Sequence, residues 1–324
     1  MQRRVFLEKL GLASATAALG ETLSSGAGTS SQALRRFKLG SITDEWTPDF
    51  QAALKAMKRY GLAWAEIRTV GKTYITEASK EELRKMKGLL FRYRIRVSVV
   101  DSALFKCALP GTAPVAGEKD AYPYSAQMDL LKRALDRAHF FGTGKIRVFA
   151  FWRVADNQSH FDRIAEELRK AAEVAHAGGG RLVLENESEC NVATGVELAR
   201  MLKLVPAANF GANWDIGNGY WQGEASFPDG YRMLPRHRIW HMHMKDVRCD
   251  PGLKKCETVV VGTGQVDLAG QIRALVSDGY EGTMSLEPEV ENPQMTHLEA
   301  TERSLKALIE IMNKALAGSK KGAD

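Results

Sequence analysis

From residue 37 onward the chain alternates short apolar runs with longer amphipathic ones, and it does so eight times. The apolar runs cover 37–42, 63–68, 97–101, 146–151, 181–185, 210–215, 239–243 and 284–287. Helical spacing of apolar residues follows each of them, over 50–60, 80–93, 125–141, 161–177, 195–204, 230–235, 268–278 and 299–317. In the fourth helix Ile164, Leu168, Ala171 and Ala175 recur at steps of three and four, which places them on one face. Gly178-Gly179-Gly180 then supplies a sharp stop, because glycine accepts the left-handed turn. Repeated strand–helix units call for a parallel sheet, and eight in strict alternation predict one closed (β/α)8 barrel. An open doubly wound sheet would carry a glycine-rich phosphate loop after its first strand. Ser41-Ile42-Thr43-Asp44-Glu45 has none.

Four of the later runs end in an acid or an imidazole: Leu182-Val183-Leu184-Glu185, Phe210-Gly211-Ala212-Asn213-Trp214-Asp215, Ile239-Trp240-His241-Met242-His243 and Met284-Ser285-Leu286-Glu287. If these strands lie side by side, Glu185, Asp215, His243 and Glu287 converge at one rim and can hold a divalent metal. Any one of them alone reads better as a helix cap or a loop ion pair; four at strand ends shift the balance. Three carboxylates and one imidazole suit Mn²⁺, with Mg²⁺, Co²⁺, Fe²⁺ or Zn²⁺ as alternatives. His241 and His243 are expected to point to opposite faces of their strand. We assign the metal to His243, which Lys245-Asp246 follows, and a packing role to His241. Long segments at 106–124, 218–230 and 247–267 mark the strand C-terminal ends as the working face.

Charge excludes little but points away from nucleic acid. The formal balance of +6 is modest for 324 residues, and the basic residues are interspersed with acids rather than clustered. Cys107, Cys190, Cys249 and Cys256 have no zinc-site spacing; Cys249 and Cys256 can pair across a short loop in an oxidising compartment, but idle thiols are the expectation. Arg3-Arg4 precedes a short, weakly apolar segment that resembles a twin-arginine export signal and is too short to span a membrane. The expected organisation is therefore 1–32 signal and linker, 33–318 a single barrel domain and 319–324 a disordered tail, with a periplasmic or exported location.

Several stretches resemble the xylose isomerase-like TIM barrels, a family that includes ketose 3-epimerases and inosose dehydratases. They are Leu184-Glu185-Asn186, Trp214-Asp215-Ile216-Gly217-Asn218, His243-Met244-Lys245-Asp246, Gly262-Thr263-Gly264-Gln265-Val266-Asp267, Gly279-Tyr280-Glu281-Gly282 and Ser285-Leu286-Glu287-Pro288-Glu289, with Ala65-Glu66-Ile67-Arg68 and Ile146-Arg147-Val148-Phe149 earlier. The resemblance implies that Glu185, Asp215, His243 and Glu287 bind one metal ion, and that Glu185 and Glu287 double as acid and base. Metal on a carbonyl and a neighbouring hydroxyl lowers the cost of an enediolate, while a carboxylate on each face moves the proton. The chain departs from the epimerases at Asn218, where they carry histidine, and at Asn191, where they carry a substrate-contacting glutamate. Glu187, Asn218 and Lys245 are candidate substrate contacts. Trp152 and Trp214 are further candidates, and with Trp46 and Trp221 they fall where an aromatic wall for a sugar ring would stand.

The leading expectation is an isomerase or epimerase acting on a small sugar or keto-sugar. A lyase that eliminates a β-substituent from a 3-keto-glycoside or inosose shares its first step. An apurinic-site endonuclease-like hydrolase would need several histidines from the early strands, which offer Arg68, Asp101 and Trp152 instead. A sugar-binding protein without catalysis would not need both glutamates. No nucleic acid and no stable membrane insertion are expected; oligomeric state, a homo-oligomer included, stays open.

Overall fold

The computed structural model describes residues 31–250, 252, 255–292 and 294–318. The paired arginines, their apolar segment and the tail 319–324 lie outside the described residues. Barrel strands are β1 (Lys38–Ile42), β2 (Trp64–Ile67), β5 (Arg96–Leu104), β6 (Lys145–Val148), β7 (Arg181–Glu185), β8 (Phe210–Asp215), β9 (Ile239–Met244) and β12 (Thr283–Leu286). Two hairpins interrupt the count, β3 (Thr69–Val70) with β4 (Thr73–Tyr74), and β10 (Asp246–Asp250) with β11 (Lys255–Val259). The helices are α1 (Gln32–Arg36), α2 (Phe50–Arg59), α3 (Lys80–Tyr93), α4 (Gln127–Phe141), α5 (Phe161–Ala177), α6 (Gly195–Leu204), α7 (Tyr231–Met233), α8 (Leu268–Ser277) and α9 (His297–Gly318).

The eight barrel strands close in the order β1-β12-β9-β8-β7-β6-β5-β2, every pair parallel. This is the TIM barrel that the alternation predicts. Local chemistry agrees with the global fold. Ser79 and Glu82 form a reciprocal capping box at the start of α3, and Thr194 and Glu197 form another at α6. The stripe Ile164, Leu168, Ala171 and Ala175 of α5 is fully buried against the barrel. Helix α1 begins inside the expected linker; Ser31 Oγ and Ala33 N both donate to Asn313 Oδ1 at 2.9 Å, which ties it to α9. No described helix is long and apolar enough to cross a membrane.

The structure corrects the cysteine expectation. Cys249 and Cys256 face each other across the β10–β11 hairpin and are joined as a disulfide. Sequence spacing did not show the antiparallel register that brings their Cα atoms to 4.0 Å. Cys107 and Cys190 are free and buried.

Candidate metal centre

Alternate residues of a strand face the same side, so on β9 both His241 and His243 point into the barrel. Their ring centroids are 5.5 Å apart, and each ring is fully buried. The expectation of opposite faces was wrong because the strand period is two residues. His241 is nevertheless packed one layer away from the rim, held by Thr283 and Glu66. Register does the rest: Asp215 pairs with His243, and His243 with Ser285, so Glu287 leaves β12 beside them.

Glu185, Asp215, His243 and Glu287 are all buried, and one ligand atom from each lies within 4.8 Å of the others. His243 Nδ1 stands 2.8 Å from Glu287 Oε2, 3.0 Å from Glu185 Oε1 and 3.7 Å from Asp215 Oδ2. Asp215 Oδ2 and Glu287 Oε2 accept no hydrogen bond of good geometry, although Lys245 Nζ lies 3.1 Å from each. Buried carboxylate oxygens without proper donors are expensive. A hard divalent cation among three carboxylates and an imidazole removes that cost, so the donor set fits a metal ion.

The electrostatics follow from crowding. Burial pushes the Asp215 carboxyl up to about 6, and Glu287 and Glu185 add to this against Lys245 and His243. Burial also opposes ionisation of Glu287, but His243, Lys245 and Arg68 outweigh it and hold the carboxyl well below the usual range. For His243 burial disfavours the charged ring, yet Glu287, Glu185 and Glu66 raise its pKa well above the ordinary imidazole value. A proton on His243 thus does what a metal ion would do there: it puts positive charge among three acids.

Neighbouring motifs hold this rim in place. Asp215 Oδ1 accepts from the backbone N–H of Gly217 and of Asn218, each at 2.8 Å. A Cβ on Gly217 would lie 2.6 Å from Lys245 Cγ, so glycine there makes room for the lysine stem. Asp246 Oδ2 accepts from the N–H groups of Gly262 and Gly264 at 2.9 Å, which explains how Lys245-Asp246 and the Gly-Thr-Gly loop go together. Asp267, ending that loop, caps α8 through Gly270 N at 2.7 Å.

A cavity of about 340 Å³ opens beside Glu287 and is lined by Arg68, Lys106, Arg147, Phe149, Glu187 and Glu289 among others. Glu187 also borders a neighbouring depression, together with Asn218 and Trp221. It is paired with Lys106 at 3.1 Å. The Asn218 side chain donates to Asn186 O at 3.0 Å, bracing the ends of β7 and β8. Lys245 reaches Asp215, Glu287 and Glu289. Trp152 lines neither space. It donates Nε1–H to Asp120 Oδ1 at 2.8 Å and packs on Phe149 and Cys190. Trp214 is corrected outright, because it alternates with the lumen-facing Asn213 and Asp215 and so faces the helices, fully buried with Nε1 on Gln271 of α8. Trp46 is likewise a core residue, bonded to Ser41 Oγ at 3.0 Å. Asn191 donates to the carbonyls of Ala150, Phe151 and Trp152, a structural staple that lines neither space.

Sequence reasoning assigned no role to Arg68 and Arg147. Arg147 Nη1 lies 3.1 Å from Glu185 Oε2, 3.3 Å from Asp101 Oδ2 and 3.9 Å from Glu287 Oε1. Arg68 Nη1 lies 2.9 Å from Glu287 Oε1, and the same guanidinium engages Asp44 and Glu45. Charged residues inside apolar strand runs were the available signal: Glu66, Asp101 and Arg147 interrupt such runs, and buried charge at alternate strand positions belongs in the lumen.

A barrel with a buried cluster of carboxylates and an imidazole at its C-terminal mouth, able to hold a metal ion, defines a class. The model of the Xylose isomerase-like TIM barrel family matches residues 54–314, and the chain belongs to that family. Among curated proteins it is similar to the inosose dehydratase of Clostridium perfringens, 24% identical over 172 residues, 48% of this chain and 57% of that protein. The chain thus spans little more than half the length of that relative. Among solved structures it resembles an IolI protein with a binding zinc atom, at a TM-score of 0.70 and 17% identity, covering 86% of this chain and 99% of the other. An L-ribulose 3-epimerase aligns at a TM-score of 0.66 and 16% identity, covering 88% and 98%. At these identities the structural likeness speaks for the fold.

Proposed function

We propose that the chain is a divalent-metal-dependent enzyme that takes a proton from the carbon beside the carbonyl of a small polyhydroxylated substrate, and then expels a β-hydroxyl as a dehydratase-type lyase. The observation that carries this reading is the convergence of Glu185 and Glu287 on one point with Asp215 and His243. Glu185, Asp215, His243 and Glu287 would hold the ion, and Mn²⁺ is the ion we propose. Bound there, the cation supplies positive charge to the substrate carbonyl, beside which carbon acidity is needed.

The chain's own groups do the proton work. Glu287, held ionised by His243, Lys245 and Arg68, accepts the carbon-bound proton. The electron pair left behind forms the new double bond as the β-hydroxyl departs. Lys245 Nζ gives that hydroxyl its proton, so water leaves, and it regains one from Glu287 Oε2, 3.1 Å away. Glu187 and Asn218 border the space in which substrate hydroxyls would sit. Trp152, shielded behind Phe149, would support that wall rather than touch the sugar.

The dehydratase relatives favour elimination, with an inosose or another oxidised cyclitol or 3-keto-glycoside as substrate. Epimerisation is the second reading, favoured by the pair of glutamates itself: Glu185 would return the proton to the opposite face. Incubation with inososes and keto-sugars in deuterated water with Mn²⁺ separates them. Elimination gives a product lighter by one water from an inosose, or by the aglycone alcohol from a 3-keto-glycoside; epimerisation gives deuterium beside an intact carbonyl. Neither change with any polyhydroxylated ketone would refute both. We also read Arg3-Arg4 and the segment after it as an export signal, a reading that the disulfide supports; fractionation of the expressed full chain tests it.

A further inference from the structure

We propose that Lys145, Thr283, His241 and Glu66 form a hydrogen-bonded column through the barrel that keeps one proton on His243 Nε2 and so makes Nδ1, which faces Glu185, Asp215 and Glu287, the nitrogen that gives up its proton to a metal ion. The inference rests on the metal-centre reading above and names four positioning residues that it lacks.

Donor and acceptor roles settle one after another once the first is known. A lysine ammonium has protons to give and no lone pair to offer. Lys145 Nζ lies 2.6 Å from Thr283 Oγ1 and 3.1 Å from Trp240 O, so both oxygens accept. The Thr283 hydroxyl has one proton of its own, and its remaining partner is His241 Nδ1 at 2.6 Å. That nitrogen accepts, so the proton of the neutral ring is on Nε2, 2.7 Å from Glu66 Oε2. Glu66 is an ionised acceptor through both oxygens, and its Oε1 lies 3.1 Å from His243 Nε2. His243 therefore donates from Nε2, and Nδ1, at 3.0 Å from Glu185 Oε1 and 2.8 Å from Glu287 Oε2, is the position whose proton a metal ion would replace. Asn213 Nδ2 also lies 3.1 Å from His243 Nε2 while its Oδ1 has no partner; with the amide turned over, the oxygen takes that place and accepts the same proton.

The surroundings favour this polarity. Glu66, His241 and His243 are all fully buried, so no solvent competes for the bonds. Burial brings Lys145 down to about 8, which still leaves it protonated at neutral pH. The column begins at a cavity of the opposite mouth, which Lys145 lines with Arg181 and Trp240, and ends at the metal centre. A histidine fixed by a carboxylate on its far nitrogen is a stiffer and more basic ligand than a free one.

The test uses the whole chain, freed of metal, with Zn²⁺ as the diamagnetic probe. Long-range proton–nitrogen NMR reads the histidine tautomers, and competition against a fluorescent chelator reads affinity. The expected result is His241 protonated on Nε2 alone, and a roughly 10- to 100-fold loss of Zn²⁺ affinity in Glu66→Gln and Thr283→Val. Thr283→Ser should restore both tautomer and affinity, which mere loss of packing would not. A proton on His241 Nδ1 in the parent protein, or unchanged affinity in both variants, overturns the column. If the parent protein takes up no Zn²⁺, the metal-centre reading falls, while the tautomer in the metal-free protein still decides the column's polarity.

Discussion

The two mouths of the barrel are built from opposite chemistry. At the C-terminal mouth buried acids outnumber the bases set among them, and the cavity beside them is about 340 Å³. At the N-terminal mouth Lys145, Arg181, Arg236 and His237 border a far larger cavity of about 950 Å³. Volume alone would send a ligand to the second. The groups there, however, are already spent on the fold: Arg236 engages Asp278 at 3.0 Å, and Lys145 is bonded to Thr283 and Trp240. At the first mouth Asp215 Oδ2 and Glu287 Oε2 stay buried without a proper donor. Unmet acceptor capacity marks a site better than empty space does.

The largest way to break this contrast is at Glu287. Glu287→Gln should reduce turnover by about 10³-fold or more while circular dichroism reports an intact barrel; activity within tenfold of the parent would remove Glu287 from the chemistry. Stripping the metal comes next. Chelation should abolish turnover and lower the Tm, by an amount corresponding to about 2.7 kcal/mol when the ion had stood at 100 times its Kd. An unchanged Tm would argue that no ion had been bound.

The disulfide sharpens the same comparison, since the β10–β11 hairpin rises from the C-terminal mouth directly after Lys245. Cys249 and Cys256 close a loop with a sequence separation of 7. Their joint replacement by serine should cost about 2 kcal/mol, read as a lower Tm, by the loop-entropy argument. At the other mouth Lys145→Met gives a pH signature. Its folded pKa of about 8 lies below the ordinary lysine value of 10.5, so the charged form opposes folding up to about pH 8. That cost fades as pH rises from about 8 toward 10.5. The parent protein should gain stability relative to Lys145→Met across that window, in denaturant titrations at paired pH values; a constant difference would contradict it. The smallest effect belongs to the exposed Arg181, where Arg181→Ala should change turnover by less than about twofold.

Much of this was readable in the chain before any coordinates. The strand runs 181–185 and 210–215 and the helices 80–93, 161–177 and 195–204 have the bounds that the spacing of apolar residues indicates, because local propensity and packing agree there. Strand β5 runs on to Leu104, beyond the expected 101, since Asp101 and Ser102 look like a strand end yet are both buried, Asp101 beside Arg147. The four converging residues were legible because acids and imidazole end apolar runs. The β10–β11 hairpin was not, as Lys255 to Val259 mixes charge with only weak alternation and its pairing depends on register. The basic lining of Arg68 and Arg147 escaped for a related reason: one sequence shows that a charge sits within a strand, but not which acids meet it.

The most direct test of the account is a metal titration followed by crystallography. Metal-free protein should take up one equivalent of Mn²⁺, with anomalous density among Glu185, Asp215, His243 and Glu287, and Asp215→Asn should lose that uptake. No bound ion at saturating Mn²⁺, or three zinc ions in place of one, would contradict it.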